Sequence, residues 1–410
     1  MSEVKVFGVV GAGQMGRGIA QVAAQTGMQV MLLDAKDEWA KAGKDRIAKG
    51  LDRLIQKERL TQADADALLA RITPTSDYGD FADADMVVEA ATEDLSVKEE
   101  IFRNADAAMT KASGILASNT SSISLTKLAA ATKRPEQVIG MHFMNPVPVM
   151  KLVELVRALQ TSDETFATTE KVGQAMGKVL VSTKDMPGFI VNRMLIPFLN
   201  EGCFALQEGL GTVEDIDLAT KLGLNHPMGP FELADLIGLD TVLYIGEVLH
   251  REFGDDKYRP PATLRNYVAA GWLGRKTGRG FYVYGDDGPA ENPDVAGLID
   301  TARKDAGVTP RDFTDEEIVA RYMAAMVNEA ARVVGEGIAK RPLAVDAVKL
   351  FGYGFPRYRG GPMKYADMTG IATIRDRIRG YAKDNPEFWQ VAPLLDELAE
   401  KDSKFEDRNT

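Results

Sequence analysis

Residues 4–34 read VKVFGVVGAGQMGRGIAQVAAQTGMQVMLLD. Val4 to Val10 is an apolar run of strand length interrupted only by Lys5, and GAGQMGRG follows it at once, ahead of an alanine-rich helical segment from Met15 to Thr26. Gly11, Gly13 and Gly16 form GxGxxG between a strand and a helix. The first glycine permits the tight turn, the second lets backbone approach a pyrophosphate at the helix N-terminus, and the third allows close helix–strand packing. A second strand, Gln29 to Leu33, ends in Asp34, about 20 residues on, where a carboxylate binds ribose hydroxyls. That charge repels a 2′-phosphate, so NAD is expected rather than NADP; Lys36 softens the preference without reversing it.

The same alternation continues. A long charged helix (about Lys36 to Glu58) and a shorter one from Thr61 precede the strand Asp85 to Ala90, with Glu89 and Glu93 at its C-terminal end. Ser96 to Glu99 reads as a capping box. Ile115 to Ser118 is another strand and runs into SNTSS, small polar residues that cap a helix or hydrogen-bond a substrate. Val138 to Phe143 ends beside His142; Asn145, Pro146 and Pro148 break it, and Val149 to Val156 follows with Glu154 among aliphatics. If the chain folds back at the prolines, His142 and Glu154 face each other across neighbouring strands. An imidazole held by a carboxylate makes a general base, although paired core residues of this kind are also structural. A capped helix, Ser162 to Gly177, and the strand Lys178 to Thr183 complete a doubly wound α/β domain over 1–185, the last strands extending the sheet in mixed sense.

From Asp185 the composition changes to helices. Phe189 to Gly209 is an apolar run in which Asn192 stands out, since a buried amide is costly unless paired; it is expected to face a binding crevice. The helical region spans 186–285, followed by a turn-rich linker, 286–312, and a repeat of the helical region over 313–410. Arg193, Asn200, Glu201, Glu208 and Gly209 recur 128 residues later as Arg321, Asn328, Glu329, Glu336 and Gly337. Asp217, Gly223 and Pro227 recur as Asp346, Gly352 and Pro356, while Ala320 replaces Asn192, as in a duplicated domain whose first copy alone serves chemistry.

With 410 residues, 45% hydrophobic and 27% charged, the chain is long enough for two to four domains. A formal net charge of −11 argues against nucleic acid as a partner. The single cysteine, Cys203, excludes a disulfide framework and a cysteine-based zinc site. His226 and His250 lack ligand spacing, so no metal is expected. GRKTGRG at 274–280 lacks phosphate-loop spacing. No signal pattern or membrane-length apolar run is seen, and the reading is a cytoplasmic protein without membrane contact.

The motifs GAGQMGRG, VEAATEDLSVK, ASNTSS, HFMNPVPVMKLVE, PGFIVNR, HPMGPFELAD and KTGRGFY, in this order over residues 4–285, resemble the L-3-hydroxyacyl-CoA dehydrogenases of β-oxidation. Residues 313–370 resemble the last domain of the multifunctional β-oxidation enzymes, whose hydratase portion has no counterpart here, so hydration is not expected. The resemblance implies a Rossmann-type α/β domain followed by two homologous all-α domains like the C-terminal part of 6-phosphogluconate dehydrogenase. It makes His142 the catalytic acid/base and Glu154 its orienting partner, with Ser121 and Asn192 contacting the substrate oxygens. The cofactor contacts are expected to be Gly11, Gly13, Gln14, Met15, Gly16, Asp34, Glu93, Lys98 and Asn119. Lys57 matches a lysine that reaches the CoA phosphates, while Gly50 lies where the family has a CoA-contacting serine. An acyl-CoA thioester is the expected substrate. In relatives the helical domain makes the dimer contact, so a homodimer and an intrachain pseudo-dimer of the two helical copies are both open. Two other readings stand beside this one: a dehydrogenase of free hydroxy acids, and a protein that binds NAD without turnover.

Overall fold

The computed structural model describes residues 4–286, 288–306, 314–383 and 385–409, and the chain divides into two compact units, one ending at Phe189 and the other beginning at Ile190. In the first unit the elements run β1 (Val6–Val10), α1 (Gln14–Gln25), β2 (Gln29–Leu33), α2 (Asp37–Gln56), α3 (Gln62–Ala70), β3 (Ile72–Thr75) and β4 (Met86–Glu89). After them come α4 (Leu95–Ala108), β5 (Ile115–Ser118), α5 (Leu125–Ala130), β6 (Val138–Phe143), β7 (Leu152–Arg157), α6 (Asp163–Ala175) and β8 (Val179–Lys184). They build one eight-stranded sheet in the order β3-β2-β1-β4-β5-β6-β7-β8. β1 to β6 are parallel; β7 turns antiparallel to β6, and β8 is parallel to β7. The strand order reverses between β1 and β4, the place where doubly wound sheets open a crevice at their carboxyl ends.

Successive side chains on a strand alternate between two apolar layers. Val9, Val88, Met141 and Val153 pack with Ile19, Ile47 and Val172 from α1, α2 and α6. Val10, Val87, Leu116 and Val156 pack on the other face with Phe102 and Leu125 from α4 and α5. His142 lies between Met141 and Phe143, and Glu154 between Val153 and Leu155, all four in the first layer. Both polar side chains therefore point to the second face. The expected capping box at Ser96 gives way to Asp94, whose carboxylate accepts from Val97 N at 3.0 Å. A charged acceptor also meets the positive end of the helix dipole, which a serine hydroxyl does not.

The second unit holds α7 (Val191–Glu208), α8 (Val213–Gly223), α9 (Pro230–Ile237), α10 (Leu239–Phe253) and α11 (Ala262–Ala269), then the antiparallel hairpin β9 (Tyr282–Gly285) and β10 (Gly288–Glu291). It continues with α12 (Val295–Ala306), α13 (Asp315–Gly335), α14 (Pro342–Gly352), α15 (Pro362–Thr369), α16 (Ile371–Tyr381) and α17 (Pro393–Glu400). Residues 286–312, expected as a linker, thus contribute β10 and α12; turn residues join paired strands as readily as domains.

The duplicated helices α7 and α13 pack on each other through reciprocal ion pairs. Arg193 reaches Glu329 at 2.6 Å and Glu336 at 3.0 Å, and Arg321 reaches Glu201 and Glu208, the matching positions of the other copy. Each guanidinium lies over two rings, Phe253 and Tyr258 for Arg193, Tyr381 and Trp389 for Arg321. Such mutual exchange is the mark of a two-fold, isologous contact, here within one chain. The caps repeat as well. Asp217 accepts from Phe231 N and Glu232 N at the start of α9, and Asp346 accepts from Met363 N and Lys364 N at the start of α15.

The two halves differ in charge. Glu329 receives Lys257 at 2.8 Å and the Tyr258 hydroxyl besides Arg193, and these cations hold its carboxyl below the ordinary value despite full burial. Among the described residues Glu201 has Arg321 alone, and burial pushes its carboxyl from 4.5 up to about 7. Glu329→Gln removes the buried charge that Arg193 and Lys257 share, leaving them, among the described residues, only Glu336 and Asp255, and is expected to cost about 3 kcal/mol; Glu201→Gln, which takes one charge from a single arginine still paired with Glu208, is expected to cost less. The folded Glu201 keeps its proton to a higher pH than the unfolded one. Wild-type stability relative to Glu201→Gln therefore falls as pH rises from 4.5 to about 7 and is level above. Urea unfolding of both proteins at pH 5 and pH 8 checks the sign.

Candidate active site

The glycine-rich turn shapes a place for an anion. α1 starts at Gln14 with Gly13 as its cap and no side chain satisfying its first N–H groups, which leaves them, Met15's included, facing the turn. A Cβ at Gly16 would collide with the Gly11 carbonyl oxygen, whereas one at Gly13 would meet no protein atom. Gly13 therefore borders open space and not packed protein, as a backbone that admits a pyrophosphate must. Asp34, at the end of β2, accepts from Ala12 N at 2.7 Å and from Ala35 N at 2.7 Å, which aims its carboxylate at the turn's edge. These residues fit NAD.

On the far side of the reversal stands the pair predicted from the hairpin. β6 and β7 place His142 directly opposite Glu154, and His142 Nδ1 lies 2.7 Å from Glu154 Oε2. The Glu154 side chain is wholly buried and that of His142 nearly so. A carboxylate only accepts, so Nδ1 carries the proton and Nε2 is left with a lone pair. Phe189 meets the imidazole edge-on with ring centroids 5.8 Å apart. The arrangement is that of an oriented general base.

Between these features, at the ends of β4 and β5, six polar residues interlock. Glu89 takes Lys98 Nζ at 2.7 and 2.8 Å, Ser118 Oγ at 2.7 Å and Ala91 N at 2.7 Å. Glu93 accepts from Thr120 Oγ1 at 2.9 Å, Ser121 N at 2.7 Å and Ser121 Oγ at 2.9 Å, with Lys98 Nζ at 3.4 Å. Asn119 Oδ1 accepts from Phe143 N at 2.9 Å and ties β5 to the strand end that carries His142.

The residues singled out from sequence thus gather in two clusters of the first unit. Gly11, Gly13, Gln14, Met15, Gly16 and Asp34 line the turn; Glu93, Lys98, Asn119, Ser121, His142 and Glu154 occupy the ends of β4 to β7. Lys98 is buried, its ammonium taken up by the two glutamates. Lys57 is exposed at the C-terminal cap of α2. Asn192 is buried in the first turn of α7, in the second unit.

Two side chains escaped the sequence reading, and a third, Gln14, makes a loop contact it did not foresee. Thr120 shares Glu93 with Ser121. Lys178 donates to the carbonyls of Val147 and Met150, clamping the loop after His142; burial, with Lys151 nearby, lowers its amine to about 8. Gln14 Nε2 meets Asn145 Oδ1 of the same loop at 3.1 Å. Gly18 is the local signal for this loop, because a Cβ there would strike the Val147 side chain. It is the last glycine of GAGQMGRG, to which the dinucleotide fingerprint assigns no role.

Comparison with known proteins agrees with this geometry. The model for the 3-hydroxyacyl-CoA dehydrogenase NAD-binding domain matches residues 6–186, and that for the C-terminal domain matches both 188–284 and 318–407. A probable 3-hydroxybutyryl-CoA dehydrogenase of Deinococcus radiodurans is 54% identical over 278 residues, 68% of this chain and 99% of that protein. The peroxisomal bifunctional enzyme of Danio rerio is 36% identical over 420 residues; the match takes in 98% of this chain but 57% of that longer protein. Among solved structures, 3-hydroxybutyryl-CoA dehydrogenase from Escherichia coli K12 superposes with a TM-score of 0.87 at 29% identity, covering 98% of this chain and 99% of that one. With its NAD-binding domain matched over 6–186 and a helical domain matched twice over, the chain belongs to the 3-hydroxyacyl-CoA dehydrogenase family.

Proposed function

We propose that this protein catalyses the reversible, NAD-dependent oxidation of (S)-3-hydroxyacyl-CoA to 3-oxoacyl-CoA, in fatty-acid β-oxidation or short-chain acyl-CoA metabolism. The observation that carries the reading is the buried His142–Glu154 pair, standing at the strand ends of a domain whose turn fits NAD. Bound NAD supplies the hydride acceptor for oxidation and, reduced, the donor for the reverse. The chain's own task is the proton. His142 Nε2 takes it from the 3-hydroxyl as the C3 hydride departs, and Glu154 stabilises the imidazolium so formed. Ser121 and Asn192 are assigned to the substrate oxygen, where charge changes during reaction. Lys57 is assigned to the CoA phosphates.

The reciprocal contacts of α7 and α13 favour a monomer whose two helical copies take the place of two protomers. No described helix is long and apolar enough to cross a membrane, and the protein is read as cytoplasmic.

NADH oxidation with acetoacetyl-CoA, run beside free acetoacetate, is expected to proceed with the thioester alone. His142→Ala should lose about 10²–10⁴-fold in kcat while NADH binding holds, and Glu154→Gln should lose turnover in the same sense. Turnover of the free acid would instead point to a hydroxy-acid dehydrogenase. Lys57→Ala is expected to raise KM for acetoacetyl-CoA severalfold and to leave KM for a pantetheine thioester, which lacks the phosphates, unchanged. Sedimentation at the mass of one chain is the expected outcome for the assembly; a mass of two chains sinks the monomer.

A further inference from the structure

Glu89 is nearly solvent-free, charged, and unused by the proton transfer described above. Together with Lys98 and Glu93 it forms a cluster in which two carboxylates share one ammonium, and the distances say how it is shared. Lys98 Nζ lies 2.8 and 2.7 Å from the two oxygens of Glu89, but 3.4 Å from Glu93. The Glu89 and Lys98 side chains are 2% and 3% exposed, so their charges cancel in a dry environment. The Glu93 side chain is 32% exposed. Its close partners, the Thr120 hydroxyl and the amide and hydroxyl of Ser121, are neutral donors that hold the carboxylate without neutralising it. Glu93 thus carries the cluster's net charge of one unit, negative and facing outward.

The sheet tells which part of the nucleotide meets that charge. Asp34 at the end of β2 marks the adenosine half, the turn after β1 takes the pyrophosphate, and the ends of β4 and β5 are left for the nicotinamide half. The oxidised nicotinamide ring carries a positive charge and the reduced ring none. We infer that Glu89, by neutralising Lys98, leaves Glu93 as a net negative charge beside the nicotinamide and so biases the site toward the oxidised cofactor. This rests on the dehydrogenase reading above. Glu89 is a positioning residue that acts through Lys98 and Glu93, and no bond changes are involved.

The charge argument makes a pattern of predictions that a packing role does not. In Glu89→Gln the ammonium is left to Glu93 and the net charge goes to zero; in Glu93→Gln it also goes to zero. In the double variant Glu89→Gln/Lys98→Met the net charge returns to minus one. The dissociation constants of NAD+ and NADH for the full chain, titrated without acyl-CoA by calorimetry, give the ratio for each protein. Both single variants are expected to shift the ratio against NAD+ by on the order of tenfold, the effect of one unit charge at several ångströms, and the double variant to restore it. An unchanged ratio in the single variants, or a double variant that fails to restore it, overturns the inference. So does a parallel loss of both affinities, which is what a structural defect produces. If Glu89→Gln does not fold, Glu93→Gln and the double variant still decide. Failure of the wild type to bind either nucleotide would defeat the underlying dehydrogenase reading instead.

Discussion

The carboxylate of Glu154 is wholly buried, and much of the first unit answers to it. A buried charge is costly unless a partner meets it with good geometry, and that partner is His142 Nδ1 at 2.7 Å. The contact exists only because β7 runs antiparallel to β6 in a register that sets residue 154 against residue 142. A slip of β7 by one residue would send Glu154 to the opposite face of the sheet, into the layer of Met141 and Val153, and away from His142. The connecting loop is held from both sides, by Lys178 on its carbonyls and by Gln14 on Asn145. Val147 packs so close to α1 that residue 18 has no room for a side chain. The His142–Glu154 pair and the nucleotide-binding turn are in this way parts of one packed structure.

The second unit solves the same problem twice over. Arginine and glutamate are buried in α7 and α13, and each copy supplies the counter-charges for the other. One copy alone would leave Arg193, Glu201 or both without partners in an apolar helix interface. The duplication is therefore a mutual requirement, and the packing charges survive in both copies although Ala320 stands where Asn192 does in the first. The copies differ around the glutamates: Lys257 and Tyr258 join Arg193 at Glu329, while among the described residues Glu201 has Arg321 alone.

What was legible in the chain follows a simple division. GAGQMGRG and the βα alternation state local backbone requirements, so the turn and the sheet read correctly without any knowledge of packing. The facing of His142 and Glu154 was legible because prolines mark the turn between two short apolar runs. Where two local signals compete, sequence was a poorer guide. Asp94 and Ser96 both suit a helix start, and the carboxylate prevailed. GDDGPAENP suits a linker or a hairpin, and it contributes to β9 and β10.

By itself the sequence determined the doubly wound sheet, the duplicated helices, the nucleotide turn and the family. Each of these is written in periodicity, glycine placement or repeated motifs, which depend on neighbours along the chain. Only the tertiary structure decided that Lys98 belongs to Glu89, that Glu93 holds Ser121, that Lys178 clamps the loop after His142, and that each arginine crosses to the other copy's glutamates. Those pairings join residues from nine to more than a hundred positions apart. They are selected by strand order and by the cost of leaving a charge unpaired in a dry interior, and neither is visible until the chain has folded.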